Sequence, residues 1–137
     1  MTVVLDTNAF ISCIGKKSPY RNVFDAYLAK RYSLCVSTEV LLEYEETFLA
    51  HWGEDVTQNL LGRLLAGSNT SFHSIFYFFS LVGNDPDDNK FADLYLASNA
   101  DYLVSNDSQL LNLKSLAFPA INVVSLQEFS IIVRQPF

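Results

Sequence analysis

Thr2-Val3-Val4-Leu5-Asp6-Thr7-Asn8 decides the fold. Its first four residues favour extended backbone and show no polar alternation, the mark of a strand covered on both faces, and an acid stands at the strand's carboxyl end. The same arrangement recurs. Ser33-Leu34-Cys35-Val36 and Tyr102-Leu103-Val104-Ser105 read as further buried strands, the latter followed by Asn106-Asp107, and Ile121-Asn122-Val123-Val124 supplies a fourth.

Helical spacing fills the intervals. Ser37 is placed to cap a helix whose Val40, Leu41, Tyr44 and Phe48 share one face and which carries Glu43. Segments near 20–31 and 54–66 also have helical spacing, and the second ends at Gly67 before the polar turn Ser68-Asn69-Thr70. Asn84-Asp85-Pro86-Asp87-Asp88 reads as a turn opening a helix through about Asn99, because Pro and Asp favour helix starts. A short helix after Asp107 reaches Leu113, and a last one begins at Ser125. Strands alternating with helices imply an α/β fold, a three-layer α/β/α sandwich with a mainly parallel central sheet. The chain's 137 residues fit a single domain, 1–137, with no repeat, linker or low-complexity tract.

Half the residues are apolar, which places the chain among ordinary globular proteins and excludes a disordered one. The net charge of −6 argues against binding nucleic acid through overall positive charge. Charge is nevertheless uneven: Lys16, Lys17, Arg21, Lys30 and Arg31 fall within the first 31 positions, whereas acids gather in 39–55 and 85–88. Cys13 and Cys35 sit among apolar neighbours without metal-ligand spacing, as small core residues do in a reducing cytoplasm. The residues before Asp6 are too few for the apolar region of a secretory signal, and Phe72–Val82, the longest apolar stretch, is far short of a membrane span. Within that stretch, Phe72, Phe76, Tyr77, Phe78 and Phe79 are expected to fill the core, the alternative being a surface for a dimer or a partner protein.

In parallel sheets, ligands gather at the carboxyl ends of the strands, where Asp6 and Asp107 stand. Each acid has an ordinary alternative. Asp6, Asp107 and one of Asp87 and Asp88 are placed to cap helices, and Glu43 alone would be a surface acid. Capping predicts no convergence, however, and a parallel sheet would bring these acids to one edge. Converging carboxylates raise one another's pKa or recruit a divalent ion, and an all-oxygen ligand set selects Mg²⁺ or Mn²⁺ over zinc. His51 and His73 lack ligand spacing with the acids. Asp93 lies about 140° around the helix from Asp88, which makes it a supporting or packing residue.

Taken in order, four stretches resemble the PIN domain, and within it the bacterial branch of toxin components of toxin–antitoxin pairs. They are Val3-Val4-Leu5-Asp6-Thr7-Asn8, Ser37-Thr38-Glu39-Val40-Leu41-Leu42-Glu43-Tyr44-Glu45-Glu46, Asp85-Pro86-Asp87-Asp88-Asn89-Lys90-Phe91 and Ala100-Asp101-Tyr102-Leu103-Val104-Ser105-Asn106-Asp107. The resemblance covers essentially the whole chain. It implies an acidic quartet of Asp6, Glu43, Asp88 and Asp107, with Asp6, Asp88 and Asp107 as direct metal ligands and Asn8 and Ser105 as polar neighbours. The family usually has Thr-Gly-Asp where this chain has Ser105-Asn106-Asp107. The implied activity is a metal-dependent endoribonuclease acting on RNA, with a cognate antitoxin as partner. Clustering alone, apart from the resemblance, makes Lys16, Lys17 and Arg21 candidates to hold the substrate strand. Two other readings compete. A phosphoacceptor receiver domain wants a paired acid after the first strand, which Asp6-Thr7-Asn8 lacks; a catalytically silent PIN-like module would bind RNA or protein on the same scaffold.

Overall fold

A computed structural model describes residues 1–83 and 85–136 of the chain. Its strands are β1 (Thr2–Leu5), β2 (Ser33–Val36), β3 (Thr70–Phe72), β4 (Tyr102–Val104) and β5 (Val123–Val124), in the spatial order β3-β2-β1-β4-β5. All four pairings are parallel, with Leu5 beside Val104 and Val3 beside Leu34. The three central strands are apolar throughout their buried positions because helices cover both faces.

The helices are α1 (Thr7–Ile14), α2 (Arg21–Leu28), α3 (Thr38–Ala66), α4 (Asn89–Ser98), α5 (Ser108–Leu111) and α6 (Leu126–Ile132). From β1 the chain steps outward on one side through β2 and β3, then crosses back to β4 and β5 on the other side. With right-handed crossovers, this reversal sends the connecting helices to opposite faces. Accordingly α1, α2 and α6 associate on one face, while α4 packs on β1, β2 and β4. The sheet therefore has its topological switch point between β1 and β4, where a crevice opens at the carboxyl ends.

Aromatic rings fasten α3 to this frame. Phe10 of α1 meets Tyr44 and Phe48 of α3 edge-on at centroid distances of 5.0 and 5.7 Å. The Tyr44 hydroxyl donates to the Leu5 carbonyl at 2.5 Å, tying the helix to the last residue of β1. The two helical segments expected on either side of residue 53 are joined as α3 across a kink at Gly53, whose φ of 79° and ψ of −175° suit only glycine. Caps fall where the sequence puts them, with Ser37 Oγ accepting from Val40 N and Ser125 forming a reciprocal capping box with Glu128.

The region 71–82 departs from its expected burial. Only Thr70–Phe72 is strand, and Phe76, Tyr77 and Phe78 are 80%, 78% and 67% exposed. β3 is an edge strand with one sheet neighbour, and the sheet ends before these rings could be covered. The segment is held by backbone bonds instead: Phe79 N donates to Asp93 Oδ1 at 3.0 Å, and Val82 N donates to Asn89 Oδ1 at 2.7 Å. Among the described residues no helix is long and apolar enough to cross a membrane.

Candidate functional site

A cleft of about 520 Å³ opens at the switch point, and its lining includes Asp6, Asn8, Glu43, Asp88 and Asp107. Four elements deliver these residues. Asp6 follows β1, Glu43 rides on α3, Asp88 precedes α4 and Asp107 follows β4.

Capping and convergence coexist. Asp6 Oδ1 accepts from Ala9 N at 2.7 Å, fixing the start of α1, while Oδ2 accepts from the Ser105 hydroxyl. Asp107 Oδ1 likewise caps α5 through Gln109 N at 2.8 Å. Ser105 Oγ accepts in turn from Asp107 N at 2.9 Å, so one hydroxyl links the residues after β1 and β4. Where the family usually has glycine, Asn106 needs no left-handed backbone. Its Oδ1 accepts from Leu126 N at 3.0 Å and holds the start of α6.

The tightest acidic group differs from the expected trio. Oxygens of Asp85, Asp88 and Asp107 lie within 4.8 Å of one another. Asp6 stands beside this group, both of its oxygens being engaged by donors. Asp85 enters because Pro86–Asp88 forms a 3₁₀ turn, with Asp88 N donating to Asp85 O at 3.1 Å. Side chains three residues apart eclipse in that geometry. The expected turn opening a helix at 84–88 gave Asp85 no place in the site, although the spacing of Asp85 and Asp88 was its signal; Asn84 itself lies outside the described residues.

Electrostatics record the crowding. Burial first, then the charges of Asp107, Asp85, Asp6 and Glu43, push the Asp88 carboxyl up to about 7. Burial also raises Asp6, against the opposing bonds from Ser105 and Ala9. Asp88 Oδ2 is shut off from solvent and has no hydrogen-bond partner among the described residues. A buried carboxylate oxygen without a donor is costly unless a proton or cation meets it. This orphaned atom, in an all-oxygen group, fits a hard divalent cation such as Mg²⁺ or Mn²⁺.

Glu43 is held from both sides. Its Oε2 accepts from Thr7 Oγ1, and its Oε1 pairs with Lys90 Nζ at 3.0 Å. Glu39, Glu43 and Glu46, spaced four and three apart, turn one face of α3 toward the cleft. The sequence assigns Lys90 no role, yet it is the sole lysine or arginine between Arg63 and Lys114. Asp93 does not line the cleft; it is buried and secures the Phe79 backbone. Lys16 and Lys17 are exposed beyond the far end of α1, a helix about 12 Å long. Arg21 is committed there to Asp25 at 2.9 Å, to the Ile14 carbonyl at 2.5 Å and to the Phe24 ring.

A family model described as PIN domain matches residues 2–109. The chain belongs to the PIN domain family. No curated protein matches it in sequence. Among solved structures, this PIN domain is similar to VapBC2 from Rickettsia felis bound to a DNA fragment from their promoter, with a TM-score of 0.63 at 20% identity over 91% of this chain and 98% of the other. It is also similar to DNA-bound VapBC from Salmonella typhimurium, with a TM-score of 0.61 at 15% identity over 92% and 98%. At these identities the likeness is one of fold, and it covers more than nine-tenths of this PIN domain chain.

Proposed function

We propose that this PIN domain is a metal-dependent endoribonuclease that hydrolyses RNA phosphodiester bonds, and that it is the toxin of a toxin–antitoxin pair acting in the cytoplasm. The observation that carries the reading is the orphaned Asp88 oxygen inside a group of three carboxylates at the sheet's switch point. A divalent ion bound there would polarise a phosphate oxygen and make an attacking water acidic enough to deliver its lone pair at neutral pH.

The chain's own residues would do the rest. Asp88 and Asp107, with Asp85, would hold the cation. Asp6, anchored by Ser105 and Ala9 N, would keep the β1 and β4 ends in register and present negative charge to the ion's remaining water. Glu43 is locked by Thr7 and Lys90 and would orient the nucleophile. Asn8, exposed at the cleft's edge, would meet the strand of RNA. An acidic pocket repels RNA less once cations fill it, so metal would favour substrate entry as well as chemistry.

The likeness to VapBC complexes supports a cognate antitoxin as partner, and the exposed rings of residues 72–79 supply apolar surface for it or for a second copy of the chain. The deciding experiment incubates a labelled RNA with wild type, Asp6→Asn and Asp88→Asn in Mg²⁺, Mn²⁺ or EDTA. Cleavage by wild type in metal alone, lost in both variants, is expected. Activity surviving in both variants rejects the site, and inactivity of wild type in every metal favours a silent RNA- or protein-binding module.

A further inference from the structure

Lys90 is the only basic residue lining the cleft among the described residues. It follows Asp88 by two positions, so a single helix start brings to the cleft both an acid of the three-carboxylate group and an ammonium beside it. An ammonium has three donors, and Glu43 Oε1 engages one of them. Glu43 cannot swing away freely, because its other oxygen is tied to Thr7 at the start of α1. The ammonium is thereby aimed by a relay, Thr7 to Glu43 to Lys90. A partly exposed ion pair adds little to stability, so the arrangement has little value as a fold-holding device.

We infer that Lys90 is the phosphate anchor of the cleft, and that Glu43 is the positioning residue that aims it. Its spare donors would take a non-bridging oxygen of the RNA phosphate that enters beside the three carboxylates. This rests on the ribonuclease reading and adds to it a substrate contact that is independent of metal. It also explains how a cleft lined by acids, with no second basic residue among the described lining, admits a polyanion: one fixed cation stands among the acids.

The test measures binding of a labelled single-stranded RNA by fluorescence anisotropy across a salt series, with Ca²⁺ replacing Mn²⁺ to slow cleavage. Lys90→Met is expected to weaken binding about tenfold at low salt. It should also make the plot of log affinity against log salt shallower by about 0.7, the value of one lost phosphate contact on a single strand. Lys90→Arg should keep the slope. The Mn²⁺-induced rise in melting temperature should persist in Lys90→Met, since a competing cation has been removed and no carboxylate of the group. If Lys90→Met folds poorly because Glu43 is left unpaired, Glu43→Gln/Lys90→Met compared with Glu43→Gln gives the same slope difference. An unchanged slope and affinity with RNA still bound overturns the inference alone, as does loss of the Mn²⁺ response in Lys90→Met. Failure of wild type to bind RNA in any condition overturns the ribonuclease reading and this inference with it.

Discussion

Replacing Asp88 with Asn should stabilise the metal-free protein, in a way that depends on pH. Asp88 titrates near 7 instead of its ordinary 3.8, first through burial and then through Asp107, Asp85, Asp6 and Glu43. A carboxyl raised in this way is protonated in the folded chain and ionised in the unfolded one between those two values. The unfolded state then binds fewer protons, so stability falls as pH rises from about 4 to about 7 and the full deficit persists above it. The unscreened limit of such a shift is about 4 kcal/mol. Asp88 is only half-buried, and solvent screening reduces this to ~1–2 kcal/mol. Asn imitates the protonated acid, so Asp88→Asn should gain that amount at pH 8 and nothing at pH 4. For a chain of this size the gain is about 3–6 °C in melting temperature. Mn²⁺ adds the second arm: at about 100 times its dissociation constant it should stabilise wild type by ~2.7 kcal/mol at pH 8, and Asp88→Asn should lose most of that response. Melting followed by circular dichroism at pH 4, 6 and 8, with EDTA or Mn²⁺, reads both arms. Equal melting temperatures for the two proteins at pH 8 in EDTA, or an undiminished Mn²⁺ response in the variant, would refute the reasoning.

Asp93→Ala removes the acceptor for Phe79 N and should cost about 1 kcal/mol, with limited proteolysis cutting faster near residues 76–83 while Mn²⁺ still raises the melting temperature. Gly53→Ala forces a side chain onto a backbone with φ of 79° and should cost ~1–3 kcal/mol in urea unfolding, although open space surrounds the position. Ser125→Ala removes the acceptor for Glu128 N at the start of α6 and should cost about 1 kcal/mol in urea unfolding.

The elements legible in the sequence were those whose local signals agree with their tertiary surroundings. Ser33–Val36 is uniformly apolar after its first residue and buried on both faces, so pattern and burial coincide. Ser37 and Ser125 cap helices because a side-chain oxygen next to a helix start acts over three residues, a distance within reach of sequence. Residues 72–79 misled because apolarity records the fate of most aromatic rings, whereas exposure here depends on where the sheet runs out. Lys90 could not be placed at all by spacing, since its partner Glu43 is 47 residues distant.

The acids show why capping and ion binding should not be weighed as rivals. A carboxylate has two oxygens, and a helix start in a parallel α/β fold lies at the carboxyl end of a strand. Using one oxygen of Asp107 on Gln109 N fixes the side chain's direction, which is what a cation site requires of its ligands. Asp6 takes the same logic further: Ser105 engages its second oxygen, so it sets the geometry and the field of the cleft while Asp85, brought round by the 3₁₀ turn, stands in the three-acid group. Of the acids that precede α1, α4 and α5, Asp88 alone makes no capping bond, and its Oδ2 finds no donor among the described residues. Among the acids at these helix starts, the one without a local hydrogen-bonding role is the one left most in need of an ion.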